Sequence, residues 1–323
     1  MKIIDSKSSL ANIEKGWVLS IGNFDGVHFG HREIIEKCKL AAKEHNAPGV
    51  AVMTFDPHPV AILHPEKAPG VLAPLEMKEY LLSQAGVDCM IIIRDSYDLL
   101  NLSPSDFVDK FLMATAAPKV VVEGSNFNFG YGRSGDVQTL REFGSQRGFD
   151  VIEVDAMHVN LDDRRVEVCS SSLIRNLLEK GQVHSASQVL GRHYRLVGQT
   201  VKGRGVGAEI GYPTANIDPV KQIVPDEGVY AGYVCIEDDL EHACGSSQRK
   251  KAVFSIGRAK TFISDHPMLI EAHILDETVG ELYGKYLAMD FVRRIRSQER
   301  FEDRDALKKQ IAEDSNAARE ILG

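Results

Sequence analysis

Short apolar runs alternate with amphipathic stretches up to about residue 190, and this alternation constrains the fold more than any other feature. The apolar runs lie at residues 17–21, 50–55, 89–93, 120–123 and 151–154. Residues 33–44 carry apolar side chains at helical spacing, and further helices are predicted at 77–84, 104–114 and 172–179. Strands that alternate with helices in this way predict a parallel sheet buried under helices.

The pattern changes after about residue 190, where glycine, proline and polar turns separate short strand-like runs. These runs cover residues 194–201, 228–236, 251–256, 269–275 and 282–291. They are typical of an all-β domain and predict a closed barrel. Residues 305–322 place apolar side chains on one helical face, so a C-terminal helix is expected to pack on the barrel. The polar segment 237–250 is interpreted as a hairpin loop.

Length, charge and cysteine usage narrow the class of protein. A chain of 323 residues suggests about two domains, which we predict at residues 1–186 and 187–323. The formal net charge of -8 argues against nucleic-acid binding through a broad basic surface. The 5 cysteines form no C-x-x-C pair, so neither a disulfide framework nor a zinc site is expected. Without an apolar run of membrane-spanning length or a signal-peptide core, we expect a cytoplasmic protein that does not bind membranes.

The first chemical motif follows the apolar run that ends at Ile21. Residues 22–31 read G-N-F-D-G-V-H-F-G-H and lead into a predicted helix, so His28 and His31 share one face at its start. The unpaired backbone N–H groups of a first helical turn attract anions, and Gly30 lets a ligand approach the backbone closely. These features predict a phosphate site with two imidazole donors. It is not a P-loop, because the sequence has no G-x-x-x-x-G-K-[ST].

A second glycine-rich loop opens the β-rich half. Residues 203–216 read G-R-G-V-G-A-E-I-G-Y-P-T-A-N. The start of this loop satisfies the dinucleotide fingerprint G-x-G-x-x-[GA], but Gly211 and Pro213 prevent the helix that this fingerprint requires. A loop that folds over phosphates is a better interpretation, and the oxygens of Thr214 and Asn216 suit Mg²⁺. From this segment alone, a surface turn before a strand is an equally good interpretation.

Residues 22–31 resemble the H-x-G-H signature of nucleotidylyltransferases, and their longer form resembles the N-terminal domain of prokaryotic bifunctional riboflavin kinase/FAD synthetases. Three more segments follow in the family's order: T-F-D-P-H-P at 54–59, G-S-N-F-N-F-G at 124–130, and S-S-S-L-I-R at 170–175. Taken singly, the T-F-D-P-H-P segment could be a rigid turn and the S-S-S-L-I-R segment an ordinary helix cap. The resemblance implies a Rossmann-like α/β nucleotidylyltransferase fold with its site at the carboxyl ends of the parallel strands.

The resemblance also implies roles for residues of the N-terminal domain. His28 and His31 would hold the ATP phosphates and neutralise charge at the α-phosphorus, while Asn126 and Arg175 would position the nucleotide and FMN. The other residues expected to bind ATP or FMN are Gly22, Phe24, Asp25, Gly30, Arg133 and Ser171. The implied reaction is in-line attack of the FMN phosphate on ATP with release of pyrophosphate, helped by positioning and charge stabilisation. Leu173 stands where an arginine is common, so one anion contact is expected to be missing.

Residues 203–216 resemble the G-x-x-x-G-[FY]-P-T-A-N signature of riboflavin kinases, and segments 225–233, 271–276, 282–284 and 291–301 resemble further parts of that family. By this resemblance, Glu271 is the general base toward the riboflavin 5′-hydroxyl. Thr214 and Asn216 would bind Mg-ATP and the metal ion, and Arg296 would lie beside the flavin. The other residues expected to bind ATP or flavin are Gly203, Gly205, Gly211 and Pro213.

One segment departs from the family pattern. Where N-I-G-x-x-P-T-F is usual, residues 255–262 read S-I-G-R-A-K-T-F, with Ser255 and Lys260 at the changed positions. The leading hypothesis is a bifunctional enzyme that uses Mg²⁺ and ATP to convert riboflavin to FMN in the barrel and FMN to FAD in the N-terminal domain. Weak self-association is a further expectation. The departures motivate an alternative, an FMN adenylyltransferase whose barrel only holds flavin. A flavin-binding regulator without catalysis is a third hypothesis.

Overall fold

The structure is a computed structural model that describes residues 1–7, 13–94, 96–162, 164–203, 206–209, 211–258, 268–277 and 279–323. The chain forms two compact units. The first unit comprises Met1–Pro69, Lys78–Val159 and Glu167–Cys169, and the second comprises Gly70–Met77, Asn160–Val166 and Ser170–Gly323. The domain boundary predicted between residues 186 and 187 stays a prediction.

Up to residue 168 the chain alternates between strands and helices. The elements are β1 (Lys2–Asp5), β2 (Val18–Ile21), α1 (Phe29–Glu44), β3 (Val50–Phe55), α2 (Pro59–Leu63), α3 (Leu75–Gln84), β4 (Cys89–Ile93), α4 (Tyr97–Leu100), α5 (Pro104–Asp106), β5 (Val120–Gly124), β6 (Asn128–Phe129), β7 (Gly135–Asp136), α6 (Val137–Arg147), β8 (Asp150–Val154), β9 (His158–Asn160) and β10 (Val166–Val168). The helix predicted at 104–114 is α5 followed by a π-helical segment, Phe107–Met113.

Six of these strands form a parallel sheet in the order β1-β4-β3-β2-β5-β8, which confirms the predicted parallel sheet. All residues of β2 and β4 are buried, as expected for strands covered on both faces. The central strand β2 has β3 on one side and β5 on the other. Strand order therefore changes direction beside β2, and open α/β sheets bind ligands at the carboxyl ends of the strands at such a point.

The remainder of the chain is mainly antiparallel. Its elements are α7 (Ser171–Glu179), α8 (Val183–Leu190), β11 (Tyr194–Val201), α9 (Val206–Glu209), β12 (Ala215–Pro219), β13 (Gly228–Glu237), α10 (Leu240–Gly245), β14 (Lys250–Arg258), β15 (Met268–Ile274), β16 (Tyr286–Arg296) and α11 (Arg304–Leu322). Six strands close into a barrel in the order β11-β12-β15-β14-β13-β16, which confirms the predicted barrel. The predicted C-terminal helix is α11, and Ala318 and Leu322 bury it against Val229 and Ala231.

Two details of the second unit differ from the sequence interpretation. The segment 237–250 is not simply a hairpin loop, because it contains α10, where Ala243 and Cys244 are buried and the Asp239 carboxylate accepts a hydrogen bond from His242 N–H. The strand predicted at 282–291 begins only at Tyr286. Gly284 has φ 80°, a turn conformation that cannot continue a strand. None of the helices in the described part of the chain is long and apolar enough to cross a membrane.

Candidate active sites

Helix α1 begins at Phe29, within the first motif, and His28 caps it. The His28 backbone is extended, and its Nδ1 accepts a hydrogen bond from His31 N–H at 3.4 Å. The two imidazole rings stack with their centroids 3.7 Å apart. The first motif thus forms a stacked pair of imidazoles at a helix N-terminus, where backbone N–H groups and the helix dipole favour an anion such as phosphate.

The backbone of the first motif is tightly bent around these histidines. Phe24 has φ 46° and Val27 has φ 41°, in the left-handed region that costs a non-glycine residue about 1–3 kcal/mol. The buried Phe24 ring packs on His31 with centroids 5.0 Å apart. A Cβ added to Gly30 would lie 3.2 Å from His28 Cε1, so glycine leaves room for the capping imidazole. Gly22 similarly borders Phe24, since an added Cβ would lie 3.2 Å from the ring.

The T-F-D-P-H-P segment, which begins within the end of β3, is hydrogen-bonded to the first motif. Thr54 Oγ1 donates to Asn23 O at 3.1 Å, and a 2.9 Å hydrogen bond joins the side chains of Asn23 and His58. His58 Nδ1 also accepts from Val60 N–H at 3.1 Å, which caps α2. The loops after the adjacent strands β2 and β3 therefore hold each other in place at the ligand-binding edge of the sheet.

The loop after β5 places Asn126 and Arg133 in solvent. Both residues are exposed, and Asn128 Nδ2 donates to Asn126 O at 2.7 Å. A Cβ added to Gly124 would lie 3.2 Å from Asn126 Oδ1, so the amide lies close over the end of β5. Because β5 pairs with β2, this loop and the first motif both leave the carboxyl edge of the sheet from neighbouring strands.

Ser171 and Arg175 lie on α7, in the second unit. Ser170 caps this helix, and its Oγ accepts a hydrogen bond from Leu173 N–H at 3.1 Å. Arg175 Nε donates to Gly70 O at 2.6 Å. The expectation that Ser171 and Arg175 join the two histidines around one substrate stays a prediction.

Two buried charged residues of the first unit were missed by the sequence analysis. Glu123 on β5 is 3% exposed and accepts a hydrogen bond from Ile21 N–H at 2.6 Å. Burial raises the pKa of Glu123 well above its usual value, and the hydrogen bond from Ile21 N–H only partly opposes this. Lys78 on α3 is 7% exposed, and burial lowers its pKa. An acidic residue ending an apolar run and a lysine four residues before the buried Leu82 were the available signals.

The candidate kinase site lies on the outer face of the barrel. In the strand register Asn216 pairs with Glu271, and Glu271 pairs with Ser255 on the next strand. Residues paired in this way point to the same face of a sheet. Their chain neighbours Ile217, Ala272 and Ile256 are buried, so the row faces away from the barrel interior.

A cavity of about 470 Å³ opens beside this row and is lined by Glu271, Ser255, Gln298 and Phe301, among others. Its volume is in the range of small-molecule binding sites. Gln298 Nε2 donates to Ser255 Oγ and to Ile256 O, each at 2.9 Å. The serine that departs from the family pattern therefore takes part in a hydrogen-bonded wall of the cavity. The second changed position, Lys260, lies outside the described residues, as does the predicted ligand-binding residue Gly205.

The glycine loop packs directly against the amide of this row. A Cβ added to Gly203 would lie 2.0 Å from Asn216 Nδ2, so only glycine fits there without displacing the amide. Gly211 has φ 89°, which also favours glycine. Pro213 O accepts a hydrogen bond from His273 Nδ1 at 2.9 Å, which ties the segment before β12 to β15.

The residues present fit a Mg²⁺ ion. Thr214 directly precedes β12 and Asn216 is the second residue of that strand, so the two side chains are close neighbours in the chain. Glu271 pairs with Asn216 and adds carboxylate oxygens to the same face. Hydroxyl, amide and carboxylate oxygens are the donors that a hard cation prefers.

Arg296 lies next to Phe301, a residue that lines the cavity. Its Nε and Nη2 donate to Asp314 of α11 at 2.9 and 2.7 Å, and both side chains are largely buried. The guanidinium also lies over Phe301, with Cζ 5.7 Å from the ring centroid, and Phe301 lines the cavity. The predicted position of Arg296 beside the flavin stays a prediction. In the structure the bidentate bond to Asp314 anchors α11.

Known families match both parts of the chain. The FAD synthetase family model matches residues 10–171, and the riboflavin kinase family model matches residues 190–322. A bifunctional riboflavin kinase/FMN adenylyltransferase from Escherichia coli strain K12 is 33% identical over 324 residues, covering 100% of this chain and 98% of its own. The enzyme of that name from Pseudomonas fluorescens is 33% identical over 99% of this chain and 98% of its own.

A solved structure also matches the whole chain. It is a crystal structure described as a macrolide-efflux protein from Streptococcus pneumoniae, with a TM-score of 0.84 and 27% identity over 99% of both chains. The full-length relatives carry both activities in their names, and the two family models match in the same order as the two sequence motifs. The chain therefore belongs to the bifunctional riboflavin kinase/FMN adenylyltransferase family.

Proposed function

We infer that this chain phosphorylates riboflavin to FMN with ATP and then adenylylates FMN to FAD with release of pyrophosphate. The observation that carries this inference is the match of two family models, one for each activity, to successive parts of one chain. Relatives of almost equal length support it. The stacked histidine pair and the polar row beside the barrel cavity offer a chemically suitable site for each reaction.

In adenylyl transfer, an oxygen of the FMN phosphate attacks the α-phosphorus of ATP while the bond to the β-phosphate oxygen breaks. We propose that His28 and His31, with the N–H groups that begin α1, hold the ATP phosphates as charge builds on the leaving pyrophosphate. The proposed roles of Asn126 and Arg175 in positioning the two substrates rest on the family resemblance. No covalent intermediate with the protein is needed, because alignment and charge stabilisation supply the rate enhancement.

In the kinase reaction, the riboflavin 5′-hydroxyl attacks the γ-phosphorus of ATP and ADP leaves. The Glu271 carboxylate would accept the hydroxyl proton as the transfer proceeds. Its place beside a cavity of about 470 Å³ supports this role, since the flavin can occupy the cavity with its ribityl end at the polar row. Thr214 and Asn216 would hold a Mg²⁺ ion, which would neutralise phosphate charge.

Location and assembly are also proposed. All 5 cysteines, Cys38, Cys89, Cys169, Cys235 and Cys244, are buried free thiols, which supports a reducing compartment such as the cytoplasm. The net charge of -8 supports the absence of nucleic-acid binding.

Weak self-association is also proposed, and it would appear as a concentration-dependent mass in light scattering. Flavin chemistry, and not macrolide efflux, is the proposed activity of this chain, because both matching family models are those of flavin enzymes.

The deciding experiment incubates the purified chain with riboflavin, ATP and Mg²⁺ and separates the flavins by chromatography. Both FMN and FAD are expected. FAD made from added FMN, without FMN made from riboflavin, would establish the adenylyltransferase-only alternative. Absence of both products would overturn the proposal.

Two substitutions assign the sites. His31→Ala is expected to lower FAD formation by roughly 100-fold and to leave FMN formation intact. Glu271→Gln is expected to lower FMN formation by roughly 100-fold or more and to leave FAD formation from added FMN intact. If either substitution abolished both reactions in a folded protein, the assignment of one reaction to each motif would be wrong.

A further inference from the structure

Lys78 is a buried ammonium that makes fewer hydrogen bonds than it has N–H donors. Its residue is 7% exposed, and Nζ donates to Thr54 Oγ1 at 3.3 Å. Within the described residues, Thr54 supplies the one hydrogen bond that Nζ makes. An ammonium has three N–H donors, so two remain for another acceptor.

Burial of such a group is costly unless an anion or hydrogen-bond acceptors offset it. Burial lowers the pKa of Lys78, whereas the charges of Asp25 and Asp56 raise it. Both carboxylates therefore favour the charged ammonium. A single 3.3 Å contact with a neutral hydroxyl is weak compensation for a buried cation. The protein alone therefore does not satisfy this buried cation. An anionic ligand that accepts the two remaining N–H groups would do so.

The position of Lys78 indicates which ligand this is. Lys78 Nζ donates a hydrogen bond to Thr54 Oγ1, and Thr54 Oγ1 in turn donates to Asn23 O, which belongs to the first motif. Asp25, which acts electrostatically on Lys78, belongs to the same motif. The ammonium therefore lies where the loops after β2 and β3 meet, at the carboxyl edge of the parallel sheet.

We propose that Lys78 binds a phosphate oxygen of a substrate during adenylyl transfer, an inference that rests on the proposed synthesis of FAD. The oxygen belongs either to the β- and γ-phosphates of ATP, which leave as pyrophosphate, or to the phosphate of FMN. In both cases the shared chemistry is a phosphate oxyanion held by a compact point charge. Lys78 then adds a full positive charge to the imidazoles of His28 and His31.

The test replaces Lys78 with methionine in the full-length chain, which keeps the length of the side chain and removes its charge. We expect kcat/KM for FAD formation from FMN to fall by roughly 100-fold. The KM for FMN in the forward reaction reports whether Lys78 binds the FMN phosphate. The KM for pyrophosphate in the reverse reaction, FAD plus pyrophosphate to FMN plus ATP, reports the phosphates of ATP. A rise of about tenfold or more in one of these KM values identifies the ligand.

Lys37→Met is the matched control, because Lys37 is exposed on α1 and its loss changes the net charge equally. FMN formation from riboflavin checks that the variant chain is otherwise competent. If Lys78→Met leaves both KM values and kcat within about threefold of the control, Lys78 acts only in folding and the proposal is overturned.

A second measurement covers the case in which Lys78→Met does not fold. The wild-type chain is acetylated, with and without pyrophosphate or FMN, for long enough that Lys78 is modified in the ligand-free chain, and this modification is read by mass spectrometry. Protection by one ligand supports the proposal, and protection by neither overturns it. This measurement does not require turnover, so it tests phosphate binding by Lys78 even in a chain that makes no FAD. A wild-type chain that makes no FAD would refute the proposed function and not the role of Lys78 in binding.

Discussion

Replacing Glu123 with glutamine is expected to change how the stability of the first unit depends on pH. Glu123 lies near the end of β5 and is 3% exposed. Its Oε1 accepts the Ile21 N–H at 2.6 Å, so its side chain continues the pairing between β5 and β2 beyond their backbone register. Burial raises the pKa of Glu123 well above the usual value, which keeps the native carboxyl protonated over a wider pH range than in the unfolded chain.

The sign of the effect follows from proton counting. Between the unfolded and the native pKa of Glu123, the native state holds one proton more than the unfolded state. The free energy of unfolding therefore falls by about 1.4 kcal/mol for each pH unit of increase in that window. The contribution is complete below the unfolded pKa and is lost as pH rises through the native pKa. Glutamine keeps an acceptor for the Ile21 N–H and does not titrate, so Glu123→Gln removes this slope.

The assay uses the sole tryptophan of the chain. Trp17 is 7% exposed and lies in the first unit, so urea unfolding followed by its fluorescence reports on that unit. As pH rises above the unfolded-state pKa of about 4.3, the stability of Glu123→Gln relative to wild type should rise. Glu153→Gln is the control, because Glu153 pairs with Glu123 on the next strand but is 38% exposed. Parallel curves for Glu123→Gln and wild type would refute the reasoning.

Two further predictions concern the second unit. Asp314→Ala leaves the buried Arg296 guanidinium without its carboxylate, and it should lower the free energy of unfolding by about 3–5 kcal/mol, measured by calorimetry. An exposed control, Asp305→Ala, should change it by no more than about 0.5 kcal/mol. Gly203→Ala puts a Cβ 2.0 Å from Asn216 Nδ2, so the KM for ATP in the kinase reaction should rise while FAD formation from FMN is unchanged. An unaltered KM would mean that Asn216 does not contact the nucleotide.

The sequence pattern predicted five of the six strands of the parallel sheet because buried parallel strands are nearly continuous apolar runs. The exception is β1, Lys2–Asp5, which has only two apolar residues between charged ones and lies at the edge of the sheet. The helix α10 was missed for a related reason. It is 6 residues long and buries only Ala243 and Cys244, so its amphipathic pattern is too short to be recognised in a polar segment.

The candidate sites divide in the same way, according to how far apart in sequence their parts lie. His28 and His31 could be predicted because a helix start brings residues three apart together, whatever the rest of the chain does. Glu123 meets Ile21 across 102 residues, and Lys78 meets Thr54 across 24. Neither contact follows from local spacing, because the first depends on the order of strands in the sheet and the second on how α3 lies against the end of β3. For charged residues such as Glu123 and Lys78, whose partners lie far away in the sequence, the structure therefore supplies the information about contacts and burial that the sequence pattern lacks.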